Sequence, residues 1–230
     1  MGVIVFDAVR LRQAGPELLD PVRYGASARP VGEGGRGAAW FVSGDFGDAV
    51  LRHYRRGGLA ARLSSENYLW LGESHARSIA EFRLLFELHR EGLPVPAPLA
   101  AGYWRRGWSY RAAILVERIA GARALSRWLG SDAGEAPWEA VGKMVARFHL
   151  AGVDHADLNA DNVLVDAQGQ PCLIDFDRCS RRRAGGGWRE RNLHRLARSL
   201  AKLSGGAGGW QPGFERLRGA YAATMSGASA

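Results

Sequence analysis

The chain has 230 residues, enough for one sizeable domain or two closely packed lobes with a real core. Its 31 basic residues against 23 acidic ones leave a net charge of +8, which points to an anionic partner such as phosphate, nucleic acid or a membrane surface. No apolar run reaches spanning length, and Cys172 and Cys179, six residues between them, fit neither a CxxC redox pair, a zinc knuckle nor a disulfide framework, so a reducing cytoplasm and at most peripheral membrane contact are expected.

In chain order, residues 3–50 read as β-rich with turns, including strands "AAWFV" (38–42) and "DAVLRHY" (48–54) around the turn "SGDFG". The stretch "ESHARSIAEFRLLFELHREGLPVP" sets Ile79, Phe82, Leu85, Phe86 and His89 at helical spacing, with a start near a Ser74 cap and a stop at Gly92 and Pro94. "AGYWRRGWSYRAAILVERI" alternates about an Arg-Gly turn and predicts a hairpin whose second strand covers 111–119. In "APWEAVGKMVARFHLAG" a helix presents Trp138, Val141, Val145 and Phe148 on one face and ends at Gly152. Two short apolar strands, "NVLVD" and "CLIDF", then flank the turn "AQGQP". The following "RCSRRRAGGGWRERNLHRLARSLAK" holds one acid, Glu190, and its latter half reads as helix, while "MSGASA" reads as a disordered tail. Strands give way to helices near Gly121, so the predicted organisation is an N-terminal lobe over 1–120 and a C-terminal lobe over 121–230.

Three motifs carry chemistry. "GEGGRGAAWFV" contains G-x-G-x-x-G at Gly32, Gly34 and Gly37. A dinucleotide fingerprint opens a helix, whereas this one leads into a strand, the arrangement of a loop whose backbone amides approach the phosphates of ATP. His155, Asp157 and Asn162 match H-x-D-x-x-x-x-N, and Asp175 follows 18 residues after Asp157 at the end of an apolar strand. Phosphoryl transfer needs those residue types: Asp157 as the base toward an attacking hydroxyl, Asn162 and Asp175 as ligands holding Mg²⁺ against the triphosphate. Glu81 lies on the first helix, where a kinase anchors the basic residue that contacts the α- and β-phosphates. Where V-A-I-K would stand the chain reads Ala49-Val50-Leu51-Arg52, and its two lysines, Lys143 and Lys202, lie far off in sequence. The role therefore falls to an arginine, with Arg52, Arg55 and Arg56 as candidates. Strand alternation points Arg52 and Tyr54 to one face, His53 and Arg55 to the other.

"VLRHYRRGG", "EFRLLFELHREGLPVPAPLAAG", "HADLNADNVL" and "LIDFDR" together resemble the lipopolysaccharide kinases of the protein-kinase-like superfamily, in particular those acting on 3-deoxy-D-manno-octulosonic acid (Kdo). Asn159 after Asp157-Leu158, and Asp177 where kinases have the glycine of DFG, support that narrower likeness. The resemblance implies an α+β, bilobal protein-kinase-like fold, with a small antiparallel-sheet lobe bearing one helix and a mostly helical large lobe. It implies catalytic roles for Asp157, Arg52 and Glu81, with ATP against Gly32, Gly34, Gly37, Arg52 and the backbone near Glu117 and Ile119. It further implies ATP-dependent phosphorylation of the 4-OH of Kdo on a lipid A precursor, by a peripheral enzyme at the cytoplasmic face of the inner membrane. The arginines Arg178, Arg181, Arg182, Arg183, Arg189 and Arg191 suit such an anionic acceptor and an anionic leaflet, with Asn159, Arg178 and Arg182 as the substrate-binding candidates.

Two other readings stay open at this level. Small-molecule phosphotransferases of the aminoglycoside or choline kinase type carry the same spacing, although they line their pockets with acids. A non-catalytic nucleotide- or polyanion-binding pseudokinase would make Arg52 a mark of lost activity. Nucleic acid is not the expected partner, because Trp188 is the only aromatic in the basic stretch after Asp177.

Overall fold

The computed structural model describes residues 2–32, 39–54, 68–70, 72–129, 136–183, 185, 187–205 and 209–228. They fall into two compact units, one of Met1–Glu87 with Pro96–Arg118 and one of Leu88–Val95 with Ile119–Ala230. The architecture is the expected mixture of an antiparallel sheet with one helix in the first unit and a helix-dominated second unit.

In the first unit the described strands are β1 (Gly2–Phe6), β2 (Arg29–Pro30), β3 (Ala39–Gly44), β4 (Gly47–His53), β5 (Tyr68–Leu69), β6 (Pro98–Arg106) and β7 (Ser109–Glu117). They pair antiparallel in the order β1-β6-β7-β4-β3-β2, with β5 on the far end of β7. Both hairpins predicted from alternation are present, Gly44 opposite Gly47 and Arg106 opposite Ser109. Alternation on β4 sorts its side chains. Ala49 and Leu51 are buried with Leu18, Leu19, Leu99 and Leu115 on one face, each full leucine burial contributing about 2 kcal/mol. His53 joins that side, its Nε2 2.8 Å from the Leu19 carbonyl. Arg52 and Tyr54 take the opposite side, toward α1 (Arg77–Arg90).

Helix α1 begins two residues later than a Ser74 cap would place it. Ser74 falls in a 3₁₀ turn over Glu73–His75, and the extended Ala76 (ψ 112°) separates that turn from the helix. The stop is as expected: Gly92 takes φ 73°, its N–H bonding the His89 carbonyl and the Leu93 N–H that of Leu88, a Schellman closure. The buried stripe is Ile79, Phe82, Leu85 and Leu88, so the 3.6-residue period runs through Leu88, and His89 is exposed. Glu81 is the one acid on the buried side.

The second unit contains β8 (Arg123–Ala124), α2 (Trp138–Leu150), β9 (Val153–Asp154), β10 (Val163–Val165), β11 (Pro171–Leu173), β12 (Ser180–Arg181), α3 (Trp188–Leu203) and α4 (Gln211–Gly227). The α2 face predicted from spacing, Trp138, Val141, Val145 and Phe148, is the buried one. Helix α4 corrects the sequence reading, since it reaches Gly227 through the first half of the tail expected to be disordered. Its weak amphipathicity hid it: only Gly213, Leu217 and Tyr221 are buried, and the packing relies on glycine. A Cβ on Gly142 of α2 would lie 2.2 Å from the Leu217 carbonyl oxygen, and one on Gly213 would lie 2.2 Å from the Trp138 ring. The two helices approach this closely only because neither position has a side chain. No described helix is long and apolar enough to cross a membrane.

Candidate active site

The first unit holds a charged cluster between β4 and α1. Arg52 Nη2 lies 2.5 Å from both carboxylate oxygens of Glu81, and the Tyr54 hydroxyl donates to Glu81 Oε2. The Arg52 guanidinium also stacks on the Tyr54 ring at 4.9 Å, and Arg77 caps the same ring at 5.8 Å. The Glu81 side chain is only 3 % exposed against 24 % for Arg52, so partners such as Arg52 and Tyr54 offset the burial of the carboxylate while the cation keeps an outer edge. Of the three candidate arginines Arg52 is joined to Glu81; Arg55 and Arg56 lie outside the described residues.

Gly32, at φ 89°, opens the loop between β2 and β3, and the Val31 N–H closes it on the Ala39 carbonyl at 3.0 Å. Gly34 and Gly37 lie outside the described residues. At the end of β7 the Glu117 carboxylate is 2.8 Å from Arg10 Nη1, and its N–H bonds the Ala97 carbonyl. Ile119 begins the second unit, its carbonyl accepting from Ala122 N–H at 3.4 Å.

The second unit carries the H-x-D loop. Its backbone amides are pinned one by one by side chains. His155 N–H donates to Asn192 Oδ1 (3.0 Å), Ala156 N–H to Cys179 Sγ (3.3 Å) and Ala160 N–H to Ser199 Oγ (3.1 Å). Asp161 and Asn162 N–H both donate to Asn159 Oδ1, at 2.9 and 3.0 Å. Asn159, expected at the substrate, thus has its amide oxygen committed to the loop's own turn. Neither cysteine is in a disulfide.

His155 is a buried strut. Its Nε2 is 3.1 Å from the Ile174 carbonyl, which requires a proton on Nε2, and its ring packs edge-on against Phe176. Burial lowers its pKa, outweighing the Ile174 bond and the nearby carboxylates of Asp175, Asp157 and Asp154, so the ring is neutral. Asp157 two residues on is exposed. Asn162 Nδ2 donates to the Asp157 carbonyl at 2.9 Å, which spends the amide's donor end and leaves Oδ1 as its ligand atom. Asn162 leads directly into β10, which pairs with β11 at Val163 opposite Leu173, and Ile174 N–H reaches back to the Asn162 carbonyl at 3.0 Å. Asp175 follows at once with φ 62°, a left-handed backbone rare outside glycine and a feature of strained functional turns. Asn162 and Asp175 are thereby on neighbouring chain segments. An amide oxygen and a carboxylate are hard donors suited to Mg²⁺. Among the described residues no three His, Cys, Asp or Glu side chains form a metal cluster, and Asn162 and Asp175 are the pair that would hold such an ion.

Of the arginines after Asp175, Arg181, Arg182 and Arg189 are tied to acids or backbone carbonyls, although Arg181 and Arg182 stay exposed. Arg182 Nε is 2.6 Å from Asp154, and Arg181 binds Glu91 at 2.5 Å and the Ala151 carbonyl at 3.0 Å. Arg189 donates to the His149 carbonyl at 3.1 Å. Arg178, at φ 61°, and Arg183 are exposed. Behind the loop lies a polar network that the sequence reading missed. Asn192 Nδ2 holds Asp154 Oδ1 at 2.8 Å, and buried His149 meets the Tyr221 hydroxyl at 2.8 Å. The available signal was the spacing of Asn192 and Ser199, seven residues apart on the inner face of α3.

Comparison with known proteins agrees with this geometry. The model of the lipopolysaccharide kinase (Kdo/WaaP) family matches residues 23–214. A 3-deoxy-D-manno-octulosonic acid kinase of Stenotrophomonas maltophilia (strain R551-3) is 56 % identical over 224 residues, 96 % of this chain and 90 % of the relative. The enzymes of that name from Xanthomonas campestris pv. campestris (strain B100) and Xylella fastidiosa (strain M12) are 57 % and 52 % identical. Those alignments cover 89 % and 96 % of this chain, and 82 % and 89 % of the relatives. With the catalytic-loop spacing, the Arg52–Glu81 pair and a family match across most of its length, the chain belongs to the lipopolysaccharide kinase (Kdo/WaaP) family.

Proposed function

We propose that this chain is a Kdo kinase, transferring the γ-phosphoryl group of ATP to the 4-OH of Kdo on a lipid A precursor during assembly of the lipopolysaccharide core. The observation that carries the reading is the pinned loop of the second unit, which holds Asp157 exposed while Asn162 and Asp175 stand on adjoining segments. The Asp157 carboxylate accepts the proton of the acceptor hydroxyl as its oxygen bonds the γ-phosphorus and the bond to the β–γ bridging oxygen breaks, releasing ADP. Mg²⁺, held by Asn162 and Asp175, would supply charge neutralisation along the triphosphate. In the first unit Arg52, anchored by Glu81, takes the part of the β-strand lysine with a planar fork that can grip a phosphate. Gly32, Gly34 and Gly37 would line the phosphates, and the chain near Glu117 and Ile119 the adenine edge. Arg178 is the acceptor-facing cation favoured by its exposure, with Arg182 contributing through its Asp154 pair. The seat is peripheral, at the cytoplasmic face of the inner membrane.

The test is transfer of labelled γ-phosphate from Mg-ATP to Kdo-bearing lipid A precursor, with choline and an aminoglycoside as rival acceptors. Label on the Kdo lipid is expected, and Asp157→Asn should lower it by about 10²–10⁴ while leaving ATP binding in place. Label on a rival alone, or ATP binding with no label on any acceptor, overturns the reading.

A further inference from the structure

Helix α3 has two opposed faces. Trp188, Asn192, Leu193, Leu196 and Leu200 are buried on the inner one, where Asn192 and Ser199 pin the catalytic loop. Advancing about 100° per residue, the outer face collects Arg191, His194, Arg198 and Lys202, all exposed, with Arg195 at its margin. From Arg191 to Lys202 the row runs roughly 16 Å, at about 1.5 Å per residue. Glu190, the one acid of the helix, sits at the edge and pairs with Arg218 of α4 at 3.5 Å. Arg181 and Arg182 pair with Glu91 and Asp154 while staying exposed, and the outer row of α3 adds a straight run of exposed cations to them.

We infer that the outer face of α3 is the surface by which this protein docks on a membrane bearing anionic phospholipid headgroups. The inference rests on the proposed reading of a lipid-borne acceptor. A straight row of cations on a rigid rod complements a flat anionic surface, and each such cation adds affinity only within a Debye length of it. Single-stranded nucleic acid would need several exposed rings for stacking, whereas Trp188 of α3 is buried and His194 is the one ring its outer face exposes. Docking by this face has a consequence for the chemistry. The loop carrying Asp157 is held on the opposite side of the same helix, about one helix diameter, roughly 10 Å, from the headgroups, within reach of a sugar attached to a membrane lipid.

The experiment uses the full chain with vesicles that contain no lipopolysaccharide precursor and no ATP, so that its outcome is independent of the phosphotransfer assay. Vesicles of phosphatidylcholine with phosphatidylglycerol are compared with phosphatidylcholine alone, for the wild type, for Arg191→Gln/Arg198→Gln/Lys202→Gln, and for Arg105→Gln/Arg106→Gln on the β6–β7 hairpin. Circular dichroism confirms that each variant is folded. Salt-sensitive binding to the anionic vesicles is expected, weakened on the order of a hundredfold in the α3 variant, about fivefold per cation, and unchanged in the hairpin variant. Equal binding by wild type and the α3 variant, no preference for anionic vesicles, or tighter binding to an RNA oligonucleotide than to the vesicles overturns the inference. Anionic-vesicle binding together with a failed Kdo assay would sink the proposed acceptor and leave the docking face standing.

Discussion

Acid should loosen this protein through His149. The ring is 1 % exposed, wedged edge-on between Trp188 and Tyr221, with Arg189, Asp154 and His155 as its charged or titratable neighbours. Burial pushes its pKa down from 6.5 to about 4, opposed by the bond to Asn192. Between those values the unfolded chain holds a proton that the folded chain refuses, so stability falls as pH drops through about 6.5 and the loss is complete near 4. At roughly 1.4 kcal/mol per pH unit, that window amounts to about 3 kcal/mol, a large share of the 5–15 kcal/mol typical of a folded domain. The perturbation is His149→Gln, which removes the titration and keeps a polar group opposite the Tyr221 hydroxyl. Urea unfolding followed by tryptophan fluorescence at pH 7, 6, 5 and 4 gives both stabilities. Near pH 7 the variant should be the weaker by about 1 kcal/mol, from the altered hydrogen bond. As the pH falls the difference should close and reverse, because carboxylates and the buried His155 titrate equally in both proteins. A wild-type-minus-variant difference that stays flat from pH 7 to pH 4 would refute the argument that His149 is held neutral by burial.

Tyr54→Phe removes one of the donors to the buried Glu81 carboxylate and should cost about 1–3 kcal/mol by denaturant melting, with ATP turnover falling alongside as Arg52 loses its anchor geometry. Glu81→Gln should cost more than Tyr54→Phe, since it leaves the guanidinium without its counter-charge; equal losses would show that the pair contributes little. Gly142→Ala, which in an open helix would gain about 1 kcal/mol, should instead lower Tm because its methyl meets the Leu217 carbonyl at 2.2 Å. Asn192→Leu strands the His155 amide and leaves Asp154 with Arg182 but without its amide donor; we expect about 2–3 kcal/mol of lost stability and a fall in kcat larger than any change in KM for ATP.

Most of what concerns local order was legible in the amino-acid sequence. Period-2 alternation in "AAWFV" and "DAVLRHY" specifies two strands, which the structure pairs as β3 and β4, while the second strand of the next hairpin, expected over 111–119, runs Ser109–Glu117. The same alternation put Arg52 and Tyr54 on one side and His53 on the other, which is how β4 presents them to Glu81 and Leu19. The H-x-D-x-x-x-x-N spacing was legible because a short loop feeding a strand leaves little freedom in where its residues fall. Tertiary structure decided what depends on partners distant in the chain. No local pattern says that Arg182 turns to Asp154, or that Asn159 spends its oxygen on the two amides beyond it, because an exposed-looking polar residue reads the same whether or not a partner waits across the fold. Helix α4 escaped for a related reason. Its glycines look like breakers in one dimension, and only the approach of Leu217 to Gly142, and of Trp138 to Gly213, makes a missing side chain the condition for packing. The two faces of α3 divide the same way: periodicity marks the outer row as basic, and the bonds to His155 and Ala160 give the inner row its hold on the catalytic loop.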